Sequence, residues 1–126
     1  MTAPLPRILV VEDEPLIRMM AADMLDMLGY AVVEAGTGQE ALAIPQEDLD
    51  GIVALMIDLG LPDQPGEEVV CGLLEKRPDL PVIVTTGSDA AAALSRIGAE
   101  RAVIVLEKPY QLKDLERAIA PLAPAG

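Results

Sequence analysis

The sequence predicts one α/β domain built on a parallel sheet of five strands, and three observations support this. The chain has 126 residues, the size of one compact domain. Hydrophobic residues make up 52% of it, which is ample for a core. Five apolar runs alternate with five segments of helical character, which requires right-handed crossovers and helices on both faces of the sheet. We expect a single domain over 1–126, with a core at about 7–122 and short tails at 1–6 and 123–126.

The five predicted strands are short runs rich in Val, Ile and Leu. The first run, RILVV, ends where the acidic residues Glu12, Asp13 and Glu14 begin. Continuous apolar runs of this length are typical of strands that are buried on both faces of a sheet. The strands are predicted at 7–11, 30–34, 52–57, 81–86 and 102–106.

Signals for the start and end of helices follow the strands. Pro15 fits the first turn of a helix, and Gly29 fits a stop at its C-terminal end. The segment from Thr37 to Glu40 has the capping-box pattern, a hydroxyl followed three residues later by a carboxylate. Helices are predicted at 15–28, from about 37 to 45, at 67–76, at about 88–97 and at about 112–122.

The core is expected to be aliphatic, because Phe and Trp are absent and Tyr occurs only twice. Met and Cys side chains both pack as hydrophobes, so these residues are interpreted as part of the core. This interpretation covers Met19, Met20, Met24, Met27, Met56 and Cys71.

Composition excludes several classes of function. The net charge of −12, from 21 acidic and 9 basic residues, disfavours binding to nucleic acids and anionic membranes. A chain without histidine has no Ser-His-Asp triad, His-ligated zinc or phosphohistidine of its own. The single cysteine excludes an internal disulfide, and no segment resembles a signal peptide or a membrane span. We therefore expect a soluble, cytoplasmic protein whose partners are proteins or cations.

Residues capable of chemistry stand at the ends of four strands. Glu12 and Asp13 follow the first strand, and Asp58 follows the third. Thr86 ends the fourth, and Lys108 comes just after the fifth. The carboxyl ends of parallel strands meet at one edge, where neighbouring carboxylates repel each other unless a cation lies between them. The cluster therefore predicts a Mg²⁺ site, with ligands from Asp13, Asp58 and the backbone of the loop after Asp58.

The same groups suit the transfer of a phosphoryl group to a carboxylate. Asp58 is the predicted nucleophile, while Mg²⁺, the Lys108 ammonium and the Thr86 hydroxyl neutralise the incoming oxygens. Considered singly, Asp58 fits an ordinary loop acid and Lys108 a surface lysine. If the fourth strand ends one residue earlier, Thr85 and not Thr86 supplies the hydroxyl to the site.

The sequence resembles the receiver domain of response regulators from residue 7 to about residue 122. Four motifs carry the resemblance: VVEDEP at 10–15, IDLGLPDQPG at 57–66, PVIVTTG at 81–87 and EKPY at 107–110. The resemblance implies a flavodoxin-like, doubly wound (βα)5 fold with strand order 2-1-3-4-5. It also implies a phosphoacceptor of a two-component system or phosphorelay, and not an enzyme.

The resemblance assigns roles to the acids at the strand ends. It implies that Asp58 is the phosphoacceptor. Asp13, Asp58 and the backbone carbonyl of Gly60 are expected to bind Mg²⁺ directly, and Glu12 is expected to bind it through water.

The resemblance also assigns roles at the ends of the fourth and fifth strands. Thr86 and Lys108 are expected to hold phosphoryl oxygens. The bond between Lys108 and Pro109 is expected to be cis, an isomer that is accessible because proline follows.

The resemblance implies that a histidine kinase or a histidine phosphotransfer protein donates the phosphoryl group. Output is then expected through a protein that docks on the face formed by the fourth predicted helix, the fifth strand and the fifth helix. The alternative is a phosphate shuttle or sink without a docked effector. Val105 stands where many family members have an aromatic residue, so coupling of Thr86 to that face is expected to depend on the loop at Gly87 and Ser88.

Three other functions share parts of this pattern. A phosphatase of the haloacid dehalogenase type needs a second Asp two residues after its nucleophile, where this chain has Gly60. A dinucleotide-binding module needs a glycine-rich phosphate loop, and the sequence has none after its first strand. A pseudo-receiver that is never phosphorylated does not need the complete set of acceptor residues found here.

Overall fold

Five strands form one parallel sheet in the computed structural model, which describes residues 5–87 and 103–122. The strands are β1 (Arg7–Val11), β2 (Ala31–Ala35), β3 (Ile52–Asp58), β4 (Val82–Thr86) and β5 (Val103–Glu107). Their order across the sheet is β2-β1-β3-β4-β5. The predicted fold class and strand order are therefore confirmed.

Helices connect the strands. Within the described residues they are α1 (Pro15–Met27), α2 (Gly38–Leu42), α3 (Gln46–Asp50), α4 (Gly66–Lys76) and α5 (Leu112–Ile119), and a 3₁₀ turn (Ala120–Leu122) follows α5. The helix predicted at 88–97 lies outside the described residues. In the part of the chain that the structure describes, no helix has the length and apolar character needed to cross a membrane.

A short helix that the sequence did not predict follows α2. The pattern that starts at Thr37 predicts a helix up to about Pro45, but α2 ends at Leu42 and α3 starts only after Pro45. Pro45 has an extended ψ of 145° and no N–H to donate, so it starts a new helix and does not extend α2. The Thr37 hydroxyl accepts the N–H of Glu40 at 3.0 Å, as the capping pattern predicts, and the Glu40 carboxylate accepts the N–H of Gly36 at 3.2 Å.

The core lies on both faces of the sheet, because successive side chains of a strand point to opposite sides. On one face, Leu55 of β3 belongs to a buried cluster that includes Leu73 of α4. On the other face, Met56 belongs to a buried cluster with Leu25 of α1 and Leu115 of α5. Both sides of the sheet are therefore covered by helices.

Three methionines of α1 lie on the surface, so the prediction that they belong to the core is wrong. Met19 is 54% exposed, Met20 49% and Met27 67%. The buried residues of α1 are Ala21 and Leu25, which are four positions apart and therefore share one side of the helix. The exposed methionines occupy the other sides of α1.

The remaining core predictions for Met and Cys have mixed outcomes. Met56 is buried, and Met24 is partly buried against the cluster on its face. Cys71 is exposed, which contradicts the prediction of a buried side chain. Helix α4 turns Val70 and Leu74 toward the sheet, and a residue one position after Val70 lies on a different side of the helix.

Candidate functional site

The carboxyl ends of the strands bring the predicted site residues to one edge of the sheet. β3 ends at Asp58, β1 ends one residue before Glu12, and β5 ends one residue before Lys108. The pairing of β3 with β4 aligns Asp58 with Thr85. Because β1, β3, β4 and β5 are neighbours in that order, their ends converge around Asp58.

The Lys108 ammonium lies between two acids. Its Nζ donates to Glu12 Oε1 at 2.9 Å and lies 3.2 Å from Asp58 Oδ2. The backbone N–H of Lys108 donates to the carbonyl of Thr86 at 2.9 Å. Burial by itself lowers the pKa of Lys108, but the hydrogen bond to Glu12 and the charges of Asp58 and Glu12 outweigh it, so this pKa is raised. Lys108 is therefore a fixed positive charge at the edge of the sheet.

Glu12 is an almost fully buried acid, 5% exposed. Its Oε1 accepts from Lys108, and its Oε2 accepts the N–H of Glu14 at 3.2 Å. Burial is the largest influence on the pKa of Glu12 and raises it, the charge of Asp58 adds to the rise, and both hydrogen bonds oppose it. The ionised form of Glu12 therefore depends on Lys108.

The Asp58 carboxylate has a partner on each oxygen. Oδ2 pairs with Lys108, and Oδ1 accepts the N–H of Gly60 at 3.2 Å. The side chain is 12% exposed, so the carboxylate is not fully buried. The loop after Asp58 lies tightly against the start of α4, since a Cβ on Gly66 would be 2.6 Å from the Cα of Leu59. A glycine is required at that contact, and the loop is thereby tied to α4.

The acids at this edge fit Mg²⁺. One carboxylate oxygen from each of Glu12, Asp13 and Asp58 lies within 4.8 Å of the other two. Mg²⁺ holds oxygen ligands at about 2.1 Å, so opposite ligands of one ion are about 4.2 Å apart. Separations of up to 4.8 Å are compatible with three oxygens around one ion. Asp13 is exposed, whereas Glu12 is already paired with Lys108.

Two adjacent threonines end β4, and the structure separates their roles. The Thr85 hydroxyl donates to the carbonyl of Ile57 at 3.4 Å, which joins it to the neighbouring strand β3. Thr86 is the last residue of β4 and is 7% exposed. Successive strand residues point to opposite faces, so the two hydroxyls are directed to different sides of the sheet. Thr86 stays the predicted ligand of phosphoryl oxygens.

The segment after β5 completes this edge. The Lys108–Pro109 peptide bond is cis, the isomer that the sequence resemblance implies. Burial, followed by the negative charge of Glu12, raises the pKa of Tyr110 to about 12. The Tyr110 hydroxyl is therefore protonated at neutral pH and adds no charge to the site.

Two residues without a role in the sequence analysis contact the loops of the site. Arg18 Nη1 donates to the backbone carbonyl of Glu12 at 2.7 Å. Asp63, in the loop between β3 and α4, accepts the backbone N–H groups of Gly38 and Gln39 at 3.0 and 2.9 Å, and these bonds lower the pKa of Asp63. The bond from Gly38 to Asp63 spans 25 residues, so no local pattern predicts it. The only sequence signal for Arg18 is a cation near the start of α1.

The chain is similar to known signalling proteins over nearly all of its length. The response regulator receiver domain family matches residues 8–120. The probable transcriptional regulator ycf27 of Cyanophora paradoxa is 39% identical over 119 residues, which are 92% of this chain and 47% of that protein. This chain spans about half the length of the curated relatives that match it first.

Solved structures of receiver domains have the same fold. A response regulator receiver domain protein from Clostridium thermocellum has a TM-score of 0.85 and 28% identity, with 94% of each chain covered. The response regulator protein TrrA from Thermotoga maritima, in complex with Mg²⁺-BeF, has a TM-score of 0.78 and 25% identity, with 94% of this chain and 100% of that chain covered. Receiver domains are signalling modules and not enzymes. From the sheet order, the acidic edge and these matches, the chain belongs to the family of response regulator receiver domains of two-component systems.

Proposed function

We propose that this receiver domain accepts a phosphoryl group on Asp58 in a reaction that requires Mg²⁺. The observation that carries the proposal is the Lys108 ammonium, 3.2 Å from the Asp58 carboxylate and 2.9 Å from that of Glu12. A carboxylate that attacks phosphorus approaches a group that is itself negative, and a fixed ammonium reduces that repulsion. The Mg²⁺-BeF complex of TrrA supports the requirement for the metal.

The acids at the edge of the sheet are the proposed metal ligands. Asp13, Asp58 and the Gly60 carbonyl bind Mg²⁺ directly in this proposal, and Glu12 binds it through water. The bound ion supplies positive charge to the phosphoryl oxygens. The hydrogen bond from the Gly60 N–H to Asp58 Oδ1 supports this set, because it holds the Gly60 backbone beside the carboxylate.

The proposed transfer exchanges one bond to phosphorus for another. A carboxylate oxygen of Asp58 bonds to phosphorus while the bond from phosphorus to the donor nitrogen breaks, and the product is an acyl phosphate. Lys108 holds one phosphoryl oxygen, and the Thr86 hydroxyl donates to another. Lys108 is charged before the reaction starts, so this step needs no proton transfer to the lysine.

The proposed donor is a histidine kinase or a histidine phosphotransfer protein, since this chain has no histidine. We propose that the donor docks on the outer side of α1, where Leu16 and Met19 are 58% and 54% exposed. A groove of about 350 Å³ runs from α1 to the site and includes Lys108. Its lining residues are Ile17, Met20, Met24, Lys108, Pro109 and Tyr110. Adaptable methionines in a groove that includes Lys108 suit the apolar side of a partner helix.

Output is proposed to pass through protein–protein contact. The face named by the sequence analysis combines β5, α5 and the helix predicted at 88–97, which lies outside the described residues. A phosphate shuttle or sink is the second candidate, and Val105, which is not aromatic, favours it because the family's usual aromatic residue on this strand is missing. Backbone NMR shifts with and without beryllofluoride and Mg²⁺ separate the two. Shifts that reach residues 87–110 support effector docking, and shifts confined to the acidic edge support the shuttle or sink.

Phosphorylation by a small donor tests the assignment of Asp58. The domain is incubated with Mg²⁺ and acetyl phosphate, and the expected product carries one base-labile phosphate on the peptide that contains Asp58. The variant Asp58→Ala should take up none. Asp26→Ala, which removes an exposed acid at the other end of α1, should be labelled like the wild type. Label on Thr86, or equal labelling of Asp58→Ala, contradicts the proposal.

Transfer from a protein donor tests the docking surface. Met19→Ser should slow transfer from the cognate kinase about tenfold, the effect of losing roughly 1.4 kcal/mol of contact, and leave labelling by acetyl phosphate unchanged. Met27→Ser is the matched control, since Met27 is 67% exposed but lies at the opposite end of α1. Equal effects of the two substitutions on transfer from the kinase contradict a docking surface beside the site.

A further inference from the structure

Arg18, a residue of α1, contacts the segment after β1 that carries the proposed metal ligands Glu12 and Asp13. It lies in the first turns of the helix, where its backbone N–H donates to the carbonyl of Glu14 at 2.9 Å. Its guanidinium extends back toward β1, and Nη1 donates to the backbone carbonyl of Glu12 at 2.7 Å. The Arg18 side chain is 22% exposed, so this bond is partly shielded from water.

The bond from Arg18 restricts the orientation of the peptide unit between Glu12 and Asp13. A peptide unit is planar, so the carbonyl of Glu12 and the N–H of Asp13 move together. The N–H of Glu12 donates to the carbonyl of Ala35 at 3.1 Å, which secures the other side of the same residue to the end of β2. With both backbone groups of Glu12 held, the rotation available to the Glu12–Asp13 peptide is small. Arg18 therefore helps to fix the backbone from which the exposed Asp13 side chain extends.

Contacts from β2 hold the guanidinium in turn. Arg18 Nε donates to Glu34 Oε1 at 3.2 Å. Nη1 also lies against Gly36, where an added Cβ would be 3.1 Å from it, closer than ordinary van der Waals contact. The guanidinium thus fills the space between the end of β2 and the loop after β1. The absence of a side chain at Gly36 leaves room for this position.

We propose that Arg18 is a positioning residue for the metal site, which holds the Glu12–Asp13 peptide so that both carboxylates face Asp58. This inference rests on the proposed binding of Mg²⁺ at that edge. Arg18 touches neither the phosphoryl group nor the metal in this role. It acts through the backbone of Glu12, as residues behind metal ligands commonly do.

Three substitutions separate this role from a general contribution to folding. Arg18→Met removes both side-chain contacts and keeps an unbranched, uncharged side chain on α1. Glu34→Gln removes the charge of the ion pair but leaves Arg18 and its bond to Glu12 in place. Gly36→Ala changes no charge and no hydrogen-bonding group, but its Cβ displaces the guanidinium by a few tenths of an ångström. Far-UV circular dichroism and thermal unfolding without metal show whether each variant is folded.

The main measurements are the dissociation constant for Mg²⁺ by titration calorimetry and the rate of phosphorylation by acetyl phosphate as Mg²⁺ is varied. Arg18→Met should weaken Mg²⁺ binding about tenfold, the lower end of the range for residues that orient metal ligands. The rate at saturating Mg²⁺ should stay near that of the wild type, because Asp58 and Lys108 are intact. Gly36→Ala should weaken binding in the same direction by a smaller factor, and Glu34→Gln should leave it unchanged.

Two results overturn the inference. One is wild-type Mg²⁺ affinity in both Arg18→Met and Gly36→Ala. The other is an equal loss of affinity in Glu34→Gln and Arg18→Met, which assigns the effect to the ion pair. If Arg18→Met does not fold, Gly36→Ala decides alone. A wild-type domain that binds no Mg²⁺ refutes the proposed function itself, whereas a wild type that binds Mg²⁺ with unchanged variants refutes only the role of Arg18.

Discussion

Replacement of Lys108 by Met should destabilise the domain at neutral pH. The substitution removes the ammonium that lies 2.9 Å from Glu12 and 3.2 Å from Asp58, and it leaves the Glu12 side chain only 6% exposed without its main partner. A hydrogen bond to a charged group contributes about 1.5–3 kcal/mol. Because the Lys108 side chain is 23% exposed, water screens part of this contribution. We expect the free energy of unfolding to fall by about 2 kcal/mol.

The size of this loss should depend on pH. Burial already raises the pKa of Glu12 above 4.5, and removal of the hydrogen bond from Lys108 raises it further. A carboxyl group with a raised folded pKa contributes stability that is fully present below its unfolded pKa and is lost as the pH rises through the folded pKa. The raised pKa of Lys108 affects wild-type stability only above about 10.5. The variant should therefore match the wild type most closely at acid pH and diverge from it as the pH rises above about 4.5.

Urea unfolding followed by circular dichroism, in EDTA and between pH 4 and 8, measures this difference. Lys113→Met is the control, since Lys113 is an exposed lysine of α5. The double variant Glu12→Gln/Lys108→Met should recover most of the lost stability, because a neutral amide replaces the unpaired buried carboxylate. A loss that is constant across the pH range, or a double variant no more stable than Lys108→Met, refutes the reasoning.

Three further predictions concern the metal, a loop contact and the threonines. Millimolar Mg²⁺ should raise the melting temperature of the wild type and not of Asp13→Ala, since an ion bound only by the folded state stabilises it, and equal shifts contradict the site. Asp63→Ala should have a lower melting temperature than the wild type at pH 7. This difference in melting temperature should disappear as the pH falls below 3.8, because a carboxyl group with a lowered pKa stabilises the fold only while it is ionised. Melting curves across that range check this. Thr86→Val should slow phosphorylation by acetyl phosphate at least tenfold, whereas Thr85→Val should lower stability and leave the rate unchanged; the reverse pattern assigns the role to Thr85.

The strands were predictable because a short run of aliphatic and β-branched residues is a local pattern that can be recognised in the sequence. Each of the five apolar runs coincides with a strand of the sheet to within about one or two residues, and Asp58 ends β3 where the third run stops. The alternation of runs and helices leaves few topologies, so the parallel sheet followed from the pattern alone. The strand order came from the resemblance of four motifs to receiver domains.

Exposure of helix residues was not predictable in the same way. Met19, Met20 and Cys71 were interpreted as core because hydrophobic side chains usually are buried, but both helices bury only one side against the sheet. The helix that starts after Thr37 was expected to end near Pro45; it ends at Leu42, and the short helix that starts after Pro45 was not predicted. For the exposed side chains the outcome depends on which side of a helix meets the sheet, whereas the helix boundary depends on the backbone of Pro45.

The sequence by itself determined the fold class and the chemical types present at the strand ends, because strand periodicity and residue identity are properties of neighbouring positions. Only the tertiary structure decided which of these groups meet. It set the Lys108 ammonium between Glu12 and Asp58, which are 96 and 50 residues away along the chain, and gave Arg18 the backbone carbonyl of Glu12. The contacts of Lys108 join the ends of different parallel strands, and their distances follow from how the strands pack side by side and not from the order of residues.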